Sequence, residues 1–258
     1  MSFSQSDRNG FGQFDSSAPV IDSSATSTST VSQADFQAAV HASMTRAYCE
    51  MSIGIGITAA TAWYSAQNDL LLSFLEKTGM GGVIGLLLVP LLICVVLHKN
   101  IMKMNTVLAY IIFYVFAGIM GFTLSAIFYQ YRLQDIGIVL AMTAGLFVIL
   151  AIIGLTMKTD LTSFGTIFAG ALLTLVISEL IIGFFMPGRT TTMVFSAIGI
   201  IIFAGLTMHD VQFCRKMFAA YANDPQKIRK VSIICALSLY LDFLNMFLRL
   251  LELFGKER

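Results

Sequence analysis

The chain has 258 residues, of which 57% are hydrophobic and 12% charged, and its formal net charge is +1. This is more apolar surface than one soluble core of that length can bury, so the composition predicts an integral membrane protein. The scattered basic residues form no stripe suited to a phosphate backbone, which argues against nucleic acid as a partner. The four cysteines lack metal-binding or redox spacing, and we interpret them as packing residues.

The first 45 residues differ in composition from the rest of the chain. Residues 16–32 are rich in Ser and Thr and show no helical or strand periodicity, which predicts a disordered tail over 1–45. No signal-peptide pattern precedes the apolar region, so the first helix must direct the chain to the membrane. Residues 35–44 are predicted to form a short amphipathic helix, and 46–258 to form the transmembrane domain.

Seven apolar runs follow the tail, and each approaches the length of about 20 residues that a helix needs to cross a bilayer. We therefore predict an all-α bundle of seven transmembrane helices. The first span is the weakest, because its many small residues suit packing against other helices better than contact with lipid. The predicted spans are 47–67, 81–98, 105–129, 135–157, 163–186, 192–212 and 232–254.

The distribution of Lys and Arg predicts the orientation of the bundle. Most of the basic residues, including Lys158, Arg215 and Lys216, fall on the same predicted side as the N-terminus. Under the positive-inside rule the N-terminus is cytoplasmic, and an odd number of crossings places the C-terminus outside. A bacterial inner membrane is the expected location, with an internal eukaryotic membrane as the alternative.

The last span carries a polar stripe. Five polar residues follow each other at steps of three or four, which places them on one helical face, and Asp242 lies near the middle of the span. A carboxylate at that depth costs about 2.5–3.5 kcal/mol on insertion scales. We expect this helix to be central, with its stripe facing a cavity; the alternative is that Asp242 is only a buried polar anchor. The stripe consists of Ser238, Asp242, Asn245, Arg249 and Glu252.

A second carboxylate, Asp210, lies near the end of the sixth span. Two carboxylates in one poorly hydrated cavity cannot both ionise cheaply, so we expect Asp210 and Asp242 to share a proton. Deprotonated, the pair attracts a cation, and its oxygen ligands suit Ca²⁺, bound weakly and transported rather than held as a cofactor. Glu179 is either a third member of this cavity or bonded to a neighbouring helix. His209, beside Asp210, is a candidate pH sensor.

Three segments resemble the Bax inhibitor-1 family, also called the transmembrane Bax inhibitor motif family. They are AGIMGFTLSAIF, LTMHDVQ and ALSLYLDFLNMFLRLLELFG, the last covering 236–255. The resemblance implies a seven-helix fold with a central last helix, and a pH-sensitive calcium leak that uses Asp210 and Asp242. Some members latch the first aspartate with an arginine. Here the latch candidates are Lys103 and Arg249, and the hairpin between the aspartates is longer than in some bacterial members.

The expected function is therefore a passive, proton-gated calcium leak rather than an enzyme. An intramembrane aspartyl protease would carry a GxGD motif, which neither aspartate shows. A retinal-binding protein would need a lysine in the last span. The remaining alternative is a membrane scaffold that binds protein partners through the tail and the basic loop over 213–231.

Overall fold

The computed structural model describes residues 33–185, 188–222 and 224–256. Within these ranges the side chains of 33–35, 179, 180 and 182–185 are not described. The predicted tail up to residue 32 lies outside the described residues. The helices are α1 (Gln33–Gln67), α2 (Leu70–Thr78), α3 (Met80–Asn100), α4 (Thr106–Leu124), α5 (Ile127–Gln130), α6 (Leu133–Thr156), a 3₁₀ turn (Leu161–Phe164), α7 (Gly165–Phe185), α8 (Arg189–Ala220) and α9 (Pro225–Phe254).

The described part of the chain is helical, as the apolar runs predicted. Six of its segments are long and apolar enough to cross a membrane, and together they include every long helix except α1. α1 covers the predicted first span but is less apolar, because that stretch contains small and polar residues such as Gly54, Thr58 and Thr61. The all-α membrane class is confirmed, whereas a seventh crossing by α1 stays a prediction.

α1 begins well before its predicted span. Residues 33–45 are helical and continuous with the span, so the boundary that we drew at residue 45 does not mark the start of a helix. The expected short helix over 35–44 is the first part of this longer element. The division of the chain into a tail and a membrane domain stays a prediction.

α9 occupies the centre of the bundle, as expected for the last helix. Of its most apolar 18-residue window 72% is buried, compared with 6% to 33% for the other five membrane-crossing segments. Tyr240 is fully buried and its hydroxyl lies 2.6 Å from Oγ1 of Thr58 on α1. The rings of Tyr240 and Phe113 on α4 meet edge to face at 5.8 Å, and those of Phe243 and Phe147 on α6 at 5.7 Å. α9 therefore packs against helices on several sides.

Small residues let α1 and α4 approach closely. A Cβ added at Gly121 of α4 would overlap Oγ1 of Thr61 and lie 2.5 Å from the backbone oxygen of Thr58. Thr58 Oγ1 also donates to the backbone oxygen of Ala117 at 3.0 Å. Gly118, on the same helix, has open space where a Cβ would stand. Of these two glycines, Gly121 therefore permits the close approach of α1, whereas Gly118 does not contribute to it.

The segment 213–231 is not a loop, which corrects the prediction. Its first part continues α8 to Ala220 and its last part belongs to α9, so only residues 221–224 connect the two helices. Asp224 caps α9, because its Oδ1 accepts from the backbone amides of Gln226 and Lys227 at 3.1 Å, and Pro225 is the first helical residue. The polar composition of this segment reflects helix ends beyond the apolar region rather than irregular chain.

α8 and α9 are longer than the bilayer requires. They contain 32 and 30 residues, which at 1.5 Å per residue gives about 45–48 Å. The hydrocarbon core is about 30 Å thick, so this helical pair extends roughly 15 Å past it. The basic residues around the α8–α9 connection place the excess length mainly at that end.

Candidate functional site

The buried carboxylate of Asp242 is the most unusual feature of α9. Only 3% of this residue is exposed, and its Oδ2 has no hydrogen-bond partner among the described residues. Burial removes the water that solvates a charge, so a carboxylate oxygen without a hydrogen bond is costly to keep in a bundle interior. Such a group is retained where its proton, or a cation that replaces the proton, has a use.

Asp210 on α8 lies beside Asp242 on α9. The two side chains are close enough for their charges to interact. Asp210 is not as deeply buried: 17% of its side chain is exposed, and its Oδ1 is hydrogen-bonded to Nδ1 of His209 at 2.7 Å. The two residues that the sequence analysis selected therefore belong to one site between the last two helices.

His209 is held between aromatic rings. Its ring stacks parallel to Phe213 at 6.3 Å and lies 5.7 Å from the ring of Phe168. A Cβ at Gly165, the first residue of α7, would stand 2.9 Å from His209 Nε2. The start of α7 thus closes over the imidazole, and only 13% of the His209 side chain remains exposed.

Cys214 belongs to the same site, which the sequence analysis missed. This thiol is fully buried one turn after Asp210, and it interacts electrostatically with both aspartates and with the buried Cys235 of α9. The four groups form one buried acidic cluster between α8 and α9. The sequence offered no signal for this role, because a cysteine in an apolar span has the same pattern whether it packs or lines a site.

The polar stripe of α9 leads from Asp242 toward the far end of the helix. Asn245 is half-buried and its Nδ2 donates to the backbone oxygen of Leu241 at 2.8 Å. Ser238 is half-buried on the other side of Asp242. These residues provide amide and hydroxyl groups on both sides of the carboxylate, as predicted from their spacing.

The far end of the stripe is closed by an ion pair. Arg249 Nη1 donates to Oε2 of Glu252 at 3.0 Å, and Ser196 Oγ of α8 donates to the same oxygen at 2.6 Å. The aliphatic part of Arg249 packs on Gly199, where a Cβ would stand 3.0 Å from Arg249 Cδ. Arg249 is therefore seated against Gly199 of α8, while Ser196 of α8 holds the carboxylate of Glu252, and the latch role of Arg249 stays a prediction.

Beyond this ion pair a cavity of about 390 Å³ opens between the end of α9, the start of α8 and the α5 region. Its polar lining includes Gln130, Arg189, Thr192 and Glu252. Glu252 thus contacts both the closing ion pair and the cavity. A polar route from the cavity to Asp242 would pass Arg249.

Two of the predicted site residues, Lys103 and Glu179, are not placed beside the aspartates or the polar stripe of α9. Lys103 is exposed in the turn after α3, and it forms no ion pair with any described carboxylate, so its latch role stays a prediction. The side chain of Glu179 lies outside the described ones, although its backbone belongs to α7.

A further acidic residue, Glu50 of α1, is largely buried and hydrogen-bonded to α4. Tyr114 of α4 donates a short hydrogen bond to Glu50 Oε2, and Arg46 approaches its Oε1 to 4.0 Å. The side chain of Glu50 is 15% exposed. It ties α1 to α4, away from the buried acidic cluster.

The described residues contain no group of three or more His, Cys, Asp or Glu side chains that could hold a metal ion. Ca²⁺ takes six to eight oxygen ligands, and Asp210 with Asp242 provides at most four. Any calcium at this pair would need water or backbone oxygens as well, which fits a transported ion better than a stored one.

Comparison with known proteins gives the context for this site. The family model described as "Inhibitor of apoptosis-promoting Bax1" matches residues 40–258. The inner membrane protein YbhL of Escherichia coli strain K12 is 35% identical over 216 residues, covering 83% of this chain and 92% of the relative. The protein YrjE of Lactococcus lactis is 33% identical, with 84% and 91% covered, and a protein of Borreliella burgdorferi is 30% identical, with 81% and 89% covered.

Proposed function

The chain belongs to the Bax inhibitor-1 family of integral membrane proteins, and from that premise we propose that it is a pH-sensitive calcium leak. The observation that carries this proposal is the buried, unpartnered Oδ2 of Asp242 beside Asp210. The proposed activity is passive transport, not catalysis. The expected setting is a bacterial inner membrane, with the N-terminus in the cytoplasm because Lys and Arg concentrate on that side.

The gate follows from the electrostatics of the pair. While one proton is shared, Asp210 and Asp242 attract each other through it, and α8 and α9 stay packed. When the proton leaves, two negative charges remain in a region with little water, and their repulsion favours separation of the two helices. A divalent cation relieves the same repulsion, so the pair exchanges a proton for Ca²⁺.

The route beyond the pair is provided by the polar stripe of α9. In the proposed closed state Arg249 stays paired with Glu252, between Asp242 and the cavity of about 390 Å³. Opening requires Arg249 to leave its seat on Gly199 and Glu252 to lose its hydrogen bond from Ser196, which separation of α8 from α9 would bring about. Glu252 then faces the route with its charge free to attract an entering cation.

The test is calcium flux in liposomes that hold a calcium-sensitive dye, measured on the full chain between about pH 6 and pH 8. Asp242→Asn keeps the size of the side chain but cannot lose a proton, so flux should no longer depend on pH. Asp69→Asn is the control, because Asp69 is an exposed carboxylate at the start of α2. Its variant should keep the pH dependence of the natural chain.

Three outcomes distinguish the proposal from its failure. Loss of pH dependence in Asp242→Asn alone supports the carboxylate gate. An unchanged pH profile in a folded Asp242→Asn protein contradicts the gate, and absence of calcium flux in the unsubstituted chain contradicts the leak itself. Folding of each variant is checked by its elution as a single species from size-exclusion chromatography in detergent.

A further inference from the structure

A small basic cavity lies at the end of α6, on the same side of the bundle as the α8–α9 connection. Its volume is about 200 Å³, equivalent to roughly seven water molecules at about 30 Å³ each. That is enough for a phosphate group with some water and too little for a large sugar headgroup. The polar lining is Lys158, Thr159, Asp160, Gln212, Arg215 and Lys216.

The α8 residues that line the cavity are held in place by the chain after α6. Gln212 accepts from the backbone amide of Leu161 at 2.8 Å and donates to the backbone oxygen of Thr159 at 3.0 Å. Arg215 Nη1 donates to the backbone oxygen of Leu155 at 2.9 Å. The cavity is therefore a preformed junction between two segments rather than a chance approach of mobile side chains.

The charges of the cavity do not balance. Lys216 is paired with Asp160 at 2.7 Å and also donates to Thr162 Oγ1 at 2.6 Å. The hydrogen bond from Lys216 lowers the pKa of Asp160 to about 2, so this carboxylate is ionised throughout the neutral range. Lys158 forms no hydrogen bond or ion pair with any described residue. Three cations against one carboxylate leave an excess of two positive charges.

Exposed apolar side chains lie on α6 and on the 3₁₀ turn, the two elements between which the cavity-lining residues 157–160 run. Ile152 and Ile153 of α6 are 56% and 38% exposed, and Met157, which lines the cavity, is 38% exposed. Phe164, at the end of the 3₁₀ turn, is 43% exposed. A ligand with a phosphate group in the cavity and hydrocarbon chains along α6 would cover both surfaces, whereas a free phosphate ion would leave the apolar surface unused.

We propose that this cavity binds the phosphate group of an anionic phospholipid whose acyl chains lie along α6. Basic pockets between membrane helices on the cytoplasmic side are suited to such headgroups, because the anionic lipids of that leaflet are attracted by Lys and Arg near the surface. Arg215 contacts the phosphate through the guanidinium N–H groups that Leu155 does not use, and Lys158 adds an exposed ammonium group. Lys216, whose three N–H groups are directed to Asp160 and Thr162, contributes only its charge. The site is separate from the buried acidic cluster and does not depend on the proposed calcium flux.

The experiment is native mass spectrometry of the full chain in detergent, titrated with phosphatidylglycerol, with the zwitterionic phosphatidylethanolamine, and with inorganic phosphate. Lys158→Gln removes one cation without breaking any described contact, and should weaken phosphatidylglycerol binding about fivefold. Lys227→Gln is the control: it removes the same charge from an exposed lysine near the α8–α9 connection, outside the cavity lining. It should leave binding unchanged.

A second variant is expected to strengthen phosphatidylglycerol binding instead of weakening it. Asp160→Asn removes the only carboxylate of the cavity lining and should tighten phosphatidylglycerol binding several-fold. The proposal is overturned if phosphatidylethanolamine binds as tightly as phosphatidylglycerol, or if Lys227→Gln weakens binding as much as Lys158→Gln does. Displacement of phosphatidylglycerol by millimolar inorganic phosphate would overturn the lipid assignment in favour of a soluble phosphate.

Discussion

α3 and α9 show opposite relations between apolarity and burial. α3 has a mean hydropathy of 2.8 over its most apolar window and is 17% buried there, whereas α9 has 1.9 and is 72% buried. In a soluble protein the more apolar helix would occupy the core. Here lipid covers α3, and the protein interior shelters the polar stripe of α9. In this bundle the polar residues of a span, more than its apolar ones, indicate which helix is central.

Truncation of one leucine on each helix should give the largest difference. Leu237 of α9 is 1% exposed and Leu87 of α3 is 65% exposed. Leu237→Ala should lower the free energy of unfolding by about 2–5 kcal/mol, because it leaves a cavity in the protein interior. Leu87→Ala should lower it by less than about 0.5 kcal/mol. Denaturation in mixed detergent micelles measures both, and equal losses would contradict the central position of α9.

A pair of glycines on α4 sharpens the distinction between a packed face and a lipid face. Gly121→Ala places a methyl group against Thr61 and the backbone of Thr58, and should destabilise by about 1–3 kcal/mol. Gly118→Ala meets no atom within 4 Å and should be neutral or stabilise by up to about 1 kcal/mol. Thermal unfolding in detergent would show the difference, and similar melting temperatures would mean that α1 and α4 are not so close.

The smallest expected effect on stability comes from the exposed carboxylate of Asp160, in contrast to the buried carboxylate of Asp242. Because the pKa of Asp160 falls from the ordinary 3.8 to about 2 on folding, its contribution to stability is present above pH 3.8 and is lost as the pH falls toward 2. Asp160→Asn should therefore destabilise the chain slightly near neutral pH and not at about pH 2. Unfolding of both proteins as a function of pH checks this, and a constant difference down to pH 2 would contradict it.

The sequence identified the central helix and its acidic residue because both leave a local signal. A carboxylate at the middle of an apolar run is costly, and the spacing from Ser238 to Glu252 places five polar residues on one face. The parts of the helices beyond the apolar runs were not recognised, because high hydropathy marks only the part of a helix that lies in the hydrocarbon core. Residues 213–220 and 225–231 therefore looked like a loop although they are helical.

Other parts of the site leave no local signal at all. Cys214 joins the aspartates only because α8 and α9 pack in one particular register, which single-helix periodicity cannot give. The Arg249–Glu252 ion pair depends on Gly199 beneath Arg249 and on Ser196 bonded to Glu252, and both look like ordinary small residues in an apolar span. Each contact between helices needs a residue from both helices. The sequence of one helix therefore cannot show which residue of another helix it meets.

The excess length of α8 and α9 has a mechanical consequence. A helix resists twisting about its axis, so a torque applied at the projecting ends of α8 and α9 is conveyed to Asp210, ten residues before Ala220, and to Asp242, seventeen residues after Pro225. A molecule bound to these helix ends would therefore also rotate the acidic side chains. On the proposed orientation it would do so from the cytoplasm. The helix pair therefore links a surface in water to a carboxylate in the protein interior.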